Sequence, residues 1–357
     1  MNNIPIRFST LRTILHRKVV VSLSKLILGS LLITVIISSL IYTPSNTINS
    51  SNRNTINIRK DTRKTFIQNT LCTNNTLECE NYHWFISRHQ KLYDQELASY
   101  TISQRYNSVL HALPTYKSTH IHSNKIFWCW LDGESNAPPL YLACLNALRK
   151  QCHNHEIVVI SSSNIDDYVQ FPAHIIQKYN KKQFSRTHFS DILRAELLSR
   201  YGGTWIDASV LMTEYNPDFF NKDLFFFQSF HQNDFSHVGS SWFITAEQGS
   251  PVLQTTRDLL YEYWKENDKI YNYFLFHFFF RMAYYKYKNV LAPMPKYSNI
   301  PYLELGTELG NPFNNERYQH IVMTASLHKL TAKTVKTFPV GLTNLTYHHI
   351  LREFGTL

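Results

Sequence analysis

Cysteine is scarce in this chain, and the cysteines stand too far apart to form a disulfide scaffold. There are five in 357 residues, and no CxxC pair indicates a zinc site. The sequence also lacks a Gly-x-Ser-x-Gly elbow, a P-loop and an HExxH motif, which excludes the commonest hydrolase, nucleoside triphosphatase and metalloprotease interpretations. With 43% apolar and only 17% charged residues, the chain has ample material for a packed core, so we exclude a disordered protein.

Acidic residues are nearly missing from the first 64 positions, and the net charge of +10 originates there. Five basic residues and no acid precede position 26, and residues 53–64 add five basic residues and one acid. Nine of the ten excess charges therefore lie in this segment, and the rest of the chain is nearly neutral. Because a nucleic-acid backbone is bound by a broad basic surface, we predict no nucleic-acid partner.

A long apolar run lies near the N-terminus. Residues 26–43 carry no charge, and residues 19–23 extend the run beyond Lys25 to nearly the ~20 residues that span a bilayer. The basic residues flank its N-terminal side, so the positive-inside rule places the tail, residues 1–25, in the cytosol. We predict a single-pass membrane protein, of Golgi type II orientation in a eukaryote or in the inner membrane of a bacterium. A cleaved signal peptide is the alternative.

The remainder of the chain divides into a spacer and a globular part. Residues 44–90 are rich in Asn, Thr and Ser and lack a sustained apolar period, which is typical of a stem. Later, apolar runs predict strands at residues 125–130 and 156–160, with a helix at 140–150 between them. This β-α-β order indicates an α/β domain with a parallel sheet, which we assign to residues 91–357. Ligands bind such sheets at the carboxyl ends of the strands.

The stretch from residue 185 to residue 210 contains the main candidate site. One helix face is apolar at Phe189, Ile192, Leu193 and Leu197. Ser185 or Ser190 can cap the start of this helix, and Gly202 and Gly203 end it. Residues 204–206 then predict a buried strand that places Asp207 at its carboxyl end. A buried carboxylate costs several kcal/mol unless it is hydrogen-bonded or binds a cation, so Asp207 is the leading functional candidate.

Asp191 and Arg194 stand three residues apart and therefore share a face of the predicted helix. Two interpretations stay open for this pair. It can be an ordinary intrahelical ion pair, which is common and weak. Alternatively, Asp191 binds a hydroxyl or amine of a ligand, while Arg194 binds a phosphate or anchors the following loop.

Several separated motifs follow one another in a fixed order between roughly residues 120 and 335. They are Trp130-Leu131-Asp132-Gly133-Glu134-x-Asn136-Ala137-Pro138, Ser190-Asp191-x-x-Arg194, Leu197-Leu198-x-x-Tyr201-Gly202-Gly203-x-Trp205-x-Asp207-Ala208-Ser209, Tyr263-Trp264-Lys265 and Tyr273-Phe274-Leu275. In this order they resemble the capsular polysaccharide synthesis glycosyltransferases. That family is related to the wider group of sugar transferases with a DXD signature.

The resemblance implies a Rossmann-like GT-A domain behind the N-terminal transmembrane helix. The implied reaction transfers a sugar, hexosyl and with retention, from a nucleotide-sugar donor to a glycan or glycolipid hydroxyl. A divalent cation, Mn²⁺ or Mg²⁺, would stabilise the departing diphosphate. Asp207 and Ser209 would bind this cation, with Ser209 in the place of the second acid of the DXD signature. The implied catalytic residues are Asp207, Asp191 and Arg194. The implied donor-binding residues are Asp132, Gly133, Gly202, Gly203, Asp191 and Arg194.

Some positions depart from the pattern of the family. Asp132 stands where relatives often carry Gln, and Asn272 and His277 stand where many relatives carry Asp. His277 is a candidate base, or else a packed ring on an aromatic helix. Because acids are missing at several positions, a carbohydrate-binding membrane protein that has lost turnover stays open as an alternative. A glycoside hydrolase with Asp191 and Asp207 as its two carboxylates is a third possibility.

Two further features complete the sequence-based expectations. Apolar residues at helical spacing between positions 271 and 279 predict a core-facing helix that carries His277. A membrane-facing surface for a lipid-linked acceptor is the alternative for this helix. In the later segment Ser326-Leu327-His328-Lys329-Leu330, His328 is a candidate for a metal or phosphate contact, by analogy with C-terminal histidines of other sugar transferases. The alternative for His328 is a surface or core position.

Overall fold

The computed structural model of the protein describes residues 90–228, 238–331, 338 and 343–356. The chain divides into two compact units, residues 1–95 and 96–357, and the described residues belong to the second unit except for residues 90–95. The tail predicted at 1–25, the membrane anchor predicted at 26–43 and all but the last residue of the stem predicted at 44–90 lie outside the described residues. In the described ranges, no helix has both the length and the apolarity that a bilayer crossing requires.

Helices and strands alternate along most of the second unit. In chain order the elements are α1 (Gln90–Ala112), β1 (Lys125–Cys129), α2 (Pro139–Gln151), β2 (Glu156–Ile160), α3 (Ile165–Tyr168), α4 (Ala173–Asn180), α5 (Arg186–Tyr201), β3 (Gly203–Ile206), β4 (Val210–Met212), β5 (Leu224–Gln228), β6 (Gly239–Ala246), α6 (Pro251–Glu266), α7 (Leu275–Tyr287), α8 (Glu304–Glu308), α9 (Asn315–Thr324), β7 (Leu327–Lys329) and α10 (Thr346–Glu353). Short 3₁₀ turns occur at Glu134–Asn136, Pro217–Phe219 and Pro301–Leu303.

The central sheet has the strand order β2-β1-β3-β6-β5. Strand β1 pairs in parallel with β2 and β3, whereas β6 pairs antiparallel with β3 and β5. The predicted β-α-β unit is therefore confirmed, with β1, α2 and β2 close to the predicted bounds. The domain is mixed α/β with a parallel-rich sheet, because β6 and β5 add an antiparallel side that the sequence patterns did not predict.

Both faces of this sheet are buried. The side chains of neighbouring residues in each strand point to opposite faces. Phe127 and Trp205 pack into one apolar cluster with side chains of α5, α6 and α7. Ile126 precedes Phe127 in β1, and Ile206 follows Trp205 in β3. These two isoleucines pack into a second cluster that includes side chains of α2. Because both faces are covered, the ends of the strands are the parts of the sheet that remain available for a ligand.

The helix predicted before β3 is present as α5. The hydroxyl oxygen of Ser185 accepts a hydrogen bond from the backbone N–H of His188 (3.2 Å), so Ser185 and not Ser190 is its N-cap. Gly202 ends the helix with φ +64°, and Gly203 follows with φ +87°. A Cβ on Gly203 would lie 2.3 Å from the carbonyl oxygen of Lys125, so β3 begins in close contact with β1.

The aromatic helix begins later than its apolar spacing suggests. The predicted stripe starts at position 271, but α7 begins at Leu275 because Asn272 forms a turn before it. The side-chain oxygen of Asn272 accepts a hydrogen bond from the backbone N–H of Phe274 (2.8 Å). Leu275 and Phe278 are fully buried, so the prediction of a core-facing helix is confirmed for this part.

A small two-stranded sheet lies beside the carboxyl end of β3. Directly after Asp207 the chain turns into β4, which pairs antiparallel with β7 so that Val210 stands opposite Lys329. The backbone N–H of Leu330 also donates to the carbonyl oxygen of Ser209 (2.8 Å). This pairing brings a segment more than 100 residues away in sequence next to the end of β3.

Candidate active site

A cavity of ≈ 270 Å³ opens where β1 and β3 end. Its lining comprises Cys129, Trp130, Tyr141, Thr187, Ser190, Asp191, Arg194, Trp205, Asp207, Ala208, Ser209, Ser241, Tyr273 and His277. The lining residues come mainly from the carboxyl ends of β1 and β3, from α5 and from the start of α7 with the turn before it, while α2 and β6 add one residue each. This is the edge of the sheet at which α/β proteins bind ligands, as the sequence predicts.

Asp207 is the centre of a hydrogen-bonded network on the cavity wall. Its Oδ1 accepts hydrogen bonds from Nη2 of Arg194 (2.9 Å) and from the indole N–H of Trp205 (2.8 Å). Its Oδ2 accepts one from Nζ of Lys329 (2.6 Å). The carboxylate is thus held by two cations and one neutral donor, which accounts for its place at the end of a buried strand.

The pKa of Asp207 follows from these contacts. Burial alone raises it, because a carboxylate loses hydration in the protein. The positive charges of Lys329 and Arg194, with the hydrogen bonds from Lys329 and Trp205, more than offset this effect and lower the pKa of Asp207 to about 2. Asp207 is therefore ionised at any physiological pH, and it is a weak base.

Asp191 and Arg194 form the buried part of the same network. Nη1 of Arg194 donates to Oδ1 of Asp191 (2.7 Å), so the guanidinium bridges Asp191 and Asp207 through two different nitrogens. Its planar fork suits this bidentate arrangement, and the Arg194 side chain is only 3% exposed. The i, i+3 ion pair of the first interpretation is therefore present. Because the pair lies on the wall of the cavity, ligand binding by Asp191 and Arg194 stays a prediction.

A buried histidine lies next to this network. The indole N–H of Trp264 donates to Nε2 of His188 (2.9 Å), so a neutral His188 carries its proton on Nδ1. That Nδ1 faces Oδ2 of Asp191 at 3.6 Å. Trp264 therefore holds His188 beside Asp191, at a distance longer than a hydrogen bond.

Five of the ten residues predicted for the site line the cavity: Asp191, Arg194, Asp207, Ser209 and His277. The structure does not bring His328 to it. His328 is fully buried, its Nε2 lies 3.2 Å from the hydroxyl of Thr213, and burial lowers the pKa of its imidazole to about 4. Its neighbour Lys329 points to the opposite face of β7 and contacts the cavity residues Asp207 and Ser209.

The two glycine positions need a correction. Gly203 is the first residue of β3, about 13 Å along the strand from Asp207 at the usual rise per residue, and Gly202 precedes it as the C-cap of α5. A Cβ at Gly202 would lie 2.5 Å from the backbone nitrogen of Gln248. The glycines are therefore not among the residues that line this cavity. They permit the close packing that positions β3.

Asp132 and Gly133 lie near the cavity without lining it. Oδ2 of Asp132 accepts a hydrogen bond from Nη1 of Arg186 (2.6 Å), and both side chains are exposed. Gly133 has φ +90° in the turn that follows β1. Their position after β1 is as predicted, but the pair of Asp132 and Arg186 connects this turn to the first residue of α5.

Among the residues missed by sequence reasoning, Lys329 and Tyr273 are the most informative. Nζ of Lys329 bonds to Oδ2 of Asp207 (2.6 Å) and to Oγ of Ser209 (2.8 Å). Tyr273 lines the cavity, yet 63% of its surface is exposed, which is unusual for a large aromatic side chain. Tyr273 belongs to a motif noted in the sequence, whereas Lys329 carries no sequence signal beyond its place next to His328.

The residues at this site do not fit a divalent cation well. Mn²⁺ and Mg²⁺ prefer carboxylate oxygens, but both oxygens of Asp207 already accept hydrogen bonds from cationic side chains. The other predicted ligand, Ser209, is a hydroxyl bonded to the same ammonium. At about 4 Å, a divalent cation and an ammonium repel by about 2 kcal/mol even in bulk water. The cation implied by the resemblance stays a prediction, and no step below depends on it.

One cluster of metal-ligating side chains does occur in the described part of the chain, at a different place. It consists of His120, Asp223 and Glu247. Glu247 directly follows the end of β6 that pairs with the start of β3, so this cluster lies at the opposite end of the sheet. The Glu247 carboxylate accepts hydrogen bonds from the hydroxyl of Ser118 (2.6 Å) and the backbone N–H of Thr119 (2.8 Å), which makes it an anchor for that loop.

The chain matches one protein family, and it also resembles a solved glycosyltransferase structure at low similarity. A solved structure named PaToxG Glycosyltransferase shows 12% sequence identity and a TM-score of 0.33, with 74% of this chain and 96% of that chain covered. No curated protein matches the chain. Residues 80–349 match the family described as capsular polysaccharide synthesis protein. The chain therefore belongs to the capsular polysaccharide synthesis protein family, as the resemblance of its motifs indicates.

Proposed function

We propose that the protein is a glycosyltransferase with a GT-A type domain. It transfers a sugar, as a hexosyl group, from a nucleotide-sugar donor to a hydroxyl of a glycan or glycolipid in polysaccharide synthesis. The observation that carries this proposal is the network of Asp191, Arg194, Asp207 and Lys329 at the cavity, in a chain of this family. Attachment to a membrane through residues 26–43 stays a prediction.

The charges at the cavity suit a phosphorylated ligand. Arg194 lines the cavity of ≈ 270 Å³, and Lys329 is bonded to the lining residues Asp207 and Ser209, so ion pairs hold two positive charges beside the opening. Positive groups held in place at a partly buried site stabilise negative charge that develops on a leaving group, and they need no reorganisation during the reaction. Asp207 and Asp191 hold these cations in position. In this proposal the carboxylates therefore act through their ion pairs.

The glycoside hydrolase alternative fits the site less well. A glycosidase needs one carboxyl group that stays protonated near neutral pH to serve as general acid. The pKa of Asp207 is lowered to about 2 by its cationic neighbours, so it cannot supply that proton. Asp191 is bound to the same guanidinium. A carbohydrate-binding protein without turnover is the second candidate, since both acids in the cavity are already engaged in ion pairs.

The same contacts favour retention of configuration. An inverting transferase needs a base for the acceptor hydroxyl, and the acids among the described lining residues, Asp191 and Asp207, both form ion pairs with Arg194. In a retaining reaction on one face of the sugar, the departing diphosphate accepts that proton. His277 lines the cavity and is the candidate base for an inverting reaction. The anomeric configuration of the product, measured by NMR, separates the two.

Release of nucleoside diphosphate from a panel of nucleotide sugars tests the proposal. We expect the purified full-length chain to release it from at least one donor. Asp207→Asn should lower this rate at least tenfold, because more than about 1.4 kcal/mol of transition-state stabilisation is lost with the ion pairs. The control is Asp268→Asn, which removes an exposed carboxylate that pairs with Lys178 and should leave the rate unchanged.

Two outcomes would contradict the proposal. A folded chain that binds a nucleotide sugar or glycan but turns over no donor of the panel would support the binding protein. Cleavage of a glycan in the absence of any nucleotide would support the hydrolase.

A further inference from the structure

The position that the family resemblance gives to a metal ion is taken by a side chain. Nζ of Lys329 lies 2.6 Å from Oδ2 of Asp207 and 2.8 Å from Oγ of Ser209. These two residues occupy the first and last positions of the DXD-like signature, Asp207-Ala208-Ser209. Where a cation would be shared by two acids, this chain has one acid, one hydroxyl and an ammonium between them.

We propose that the ammonium of Lys329 takes the place of the divalent cation, and that it binds the diphosphate of the donor so that binding and transfer need no metal ion. This inference rests on the proposed glycosyltransferase function. It goes beyond that function by naming the group that neutralises the leaving group.

The fold holds Lys329 rigidly enough for this role. Lys329 is the last residue of β7, where it pairs with Val210 of β4. On its other side, the backbone N–H of Leu330 donates to the carbonyl oxygen of Ser209 (2.8 Å). The backbone of Lys329 is therefore hydrogen-bonded on both sides to the segment that carries Asp207 and Ser209. This pairing fixes the position of the lysine relative to these two residues.

The ammonium also has the capacity to bind a phosphate. A lysine has three N–H donors, and within the described residues Lys329 uses two of them, on Asp207 and Ser209. The side chain remains 24% exposed and is bonded to the lining residues Asp207 and Ser209, so its third donor lies beside the cavity. Asp207 and Ser209 thus orient the ammonium and leave one of its donors for a ligand.

The proposed step balances without a metal. The bond between the anomeric carbon and the diphosphate oxygen breaks, and its electron pair stays on that oxygen. The acceptor oxygen forms the new bond to the anomeric carbon, and its proton passes to the departing diphosphate. Negative charge grows on the diphosphate as the bond breaks, and Lys329 donates to it while Arg194 holds Asp207 from the other side.

Binding of inorganic pyrophosphate provides a test that does not require knowledge of the donor. We expect the full-length chain to bind pyrophosphate in isothermal titration calorimetry with EDTA present, and added Mn²⁺ to change the Kd by less than twofold. Lys329→Gln should weaken binding at least tenfold, whereas Lys329→Arg should stay within about fivefold of the wild type because it keeps the charge.

A matched control is available at the other end of β1. Lys125 pairs with Glu156 and its side chain is 29% exposed, close to the exposure of Lys329. Lys125→Gln should leave pyrophosphate binding unchanged. Thermal unfolding of each variant identifies any that fails to fold, and Lys329→Arg, which preserves the ion pair, keeps the test informative if Lys329→Gln is unstable.

A further variant, Lys329→Ala, tests whether the ammonium of Lys329 occupies the position of a metal ion. Lys329→Ala vacates the space between Asp207 and Ser209 and leaves the carboxylate oxygen without its cation. We expect Mn²⁺ to restore pyrophosphate binding to this variant at least tenfold, and Mn²⁺ titration followed by electron paramagnetic resonance to show a bound ion there but not in the wild type. A lysine with only a structural role would not create metal dependence.

The outcomes distinguish this inference from the function on which it rests. A wild-type chain that binds pyrophosphate only with Mn²⁺, or binds none under either condition, overturns the inference. Donor turnover that EDTA abolishes and Mn²⁺ restores overturns it as well, while it supports the glycosyltransferase. Metal-free pyrophosphate binding by a chain that turns over no donor keeps the role of Lys329 as a diphosphate ligand and removes the transferase.

Discussion

His328 and Lys329 are neighbours in β7, and their side chains lie on opposite faces of that strand. Nζ of Lys329 reaches Oδ2 of Asp207 at 2.6 Å, whereas the imidazole of His328 is fully buried, with its Nε2 3.2 Å from the hydroxyl of Thr213. Pairing with β4 fixes which face each residue takes, since Lys329 stands opposite Val210 and His328 opposite Leu211. Lys329 thus contacts a residue of the cavity wall, and His328 packs in the protein interior.

The buried histidine makes stability depend on pH. Burial lowers the pKa of His328 to about 4 in the folded chain, against about 6.5 in an unfolded one. Below pH 6.5 the unfolded chain takes up a proton that the folded chain does not, so stability falls as pH falls from 6.5 to 4. Between pH 7.5 and pH 5.0 we expect His328 to account for a loss of about 2 kcal/mol in the free energy of unfolding.

Urea unfolding at the two pH values measures this contribution. His328→Asn should reduce the difference between pH 7.5 and pH 5.0 by about 2 kcal/mol relative to the wild type. His320→Asn, at an exposed position of α9, is the control and should give the wild-type difference. An unchanged pH difference in His328→Asn would show that the imidazole is protonated in the folded state.

Arg194 should not tolerate replacement by lysine. Its two Nη atoms contact Asp191 and Asp207, at 2.7 Å and 2.9 Å, and a single ammonium cannot reproduce this fork. We expect Arg194→Lys to lower nucleoside diphosphate release at least tenfold and the free energy of unfolding by about 2 kcal/mol, because one buried carboxylate loses its charged partner.

The matched control for Arg194 is another arginine–aspartate pair at the rim of the cavity. Nη1 of Arg186 contacts Oδ2 of Asp132 at 2.6 Å, but the arginine side chain is 63% exposed. Arg186→Lys should change the free energy of unfolding by less than about 0.5 kcal/mol, since exposed ion pairs contribute little. Equal effects of the two substitutions would mean that burial does not strengthen the network around Asp207.

The sequence predicts the part of the site that depends on short-range patterns. The apolar face of α5, its Ser185 cap and its end at Gly202 lie within a single stretch, and local spacing is enough to place Asp191, Arg194 and Asp207 at one strand end. Lys329 lies 122 residues from Asp207 and belongs to a strand of three residues. Side chains alternate between the two faces of a strand, so the sequence predicts only that His328 and Lys329 lie on opposite faces. The pairing of β7 with β4 decides which of the two faces the cavity.

The antiparallel side of the sheet could not be predicted either, because its strand pairing depends on contacts between residues far apart in sequence. β5 and β6 are rich in aromatic residues, and their burial is evident from composition, but nothing local tells which strand each will join. β6 pairs with β3 across about forty residues, with Gly203 opposite Ala246. The small residue at 203 that sequence reasoning assigned to the donor is instead required by this packing and by the close approach of β1.

Tyr273 should contribute to donor affinity more than to the rate of transfer. It lines the cavity while 63% of its surface is exposed, so its ring can stack on a base or sugar that enters. We expect Tyr273→Ala to raise KM for the nucleotide sugar at least fivefold with kcat changed less than twofold, and Tyr273→Phe to keep the wild-type KM.

Another exposed aromatic provides the comparison for Tyr273. Tyr285 lies on α7 with 49% of its surface exposed, and it is not among the residues that line the cavity. Tyr285→Ala should leave KM and kcat unchanged. A fall in kcat without a change in KM for Tyr273→Ala would contradict a role in binding the donor and would place the ring near the reacting atoms instead.

We expect Gly203 to be necessary for the position of β3. Gly355 serves as a control, because a substitution there introduces backbone strain without a steric contact. Gly203 and Gly355 both have positive φ, +87° and +70°, so alanine costs about 1 kcal/mol at either position. A Cβ at Gly203 would also lie 2.3 Å from the carbonyl oxygen of Lys125, whereas at Gly355 no atom lies within 4 Å. We therefore expect Gly203→Ala to lower the free energy of unfolding by at least about 3 kcal/mol and Gly355→Ala by about 1 kcal/mol, measured by urea unfolding. Equal losses would mean that β1 and β3 can separate without cost, and that the strand end carrying Asp207 is not fixed by this contact.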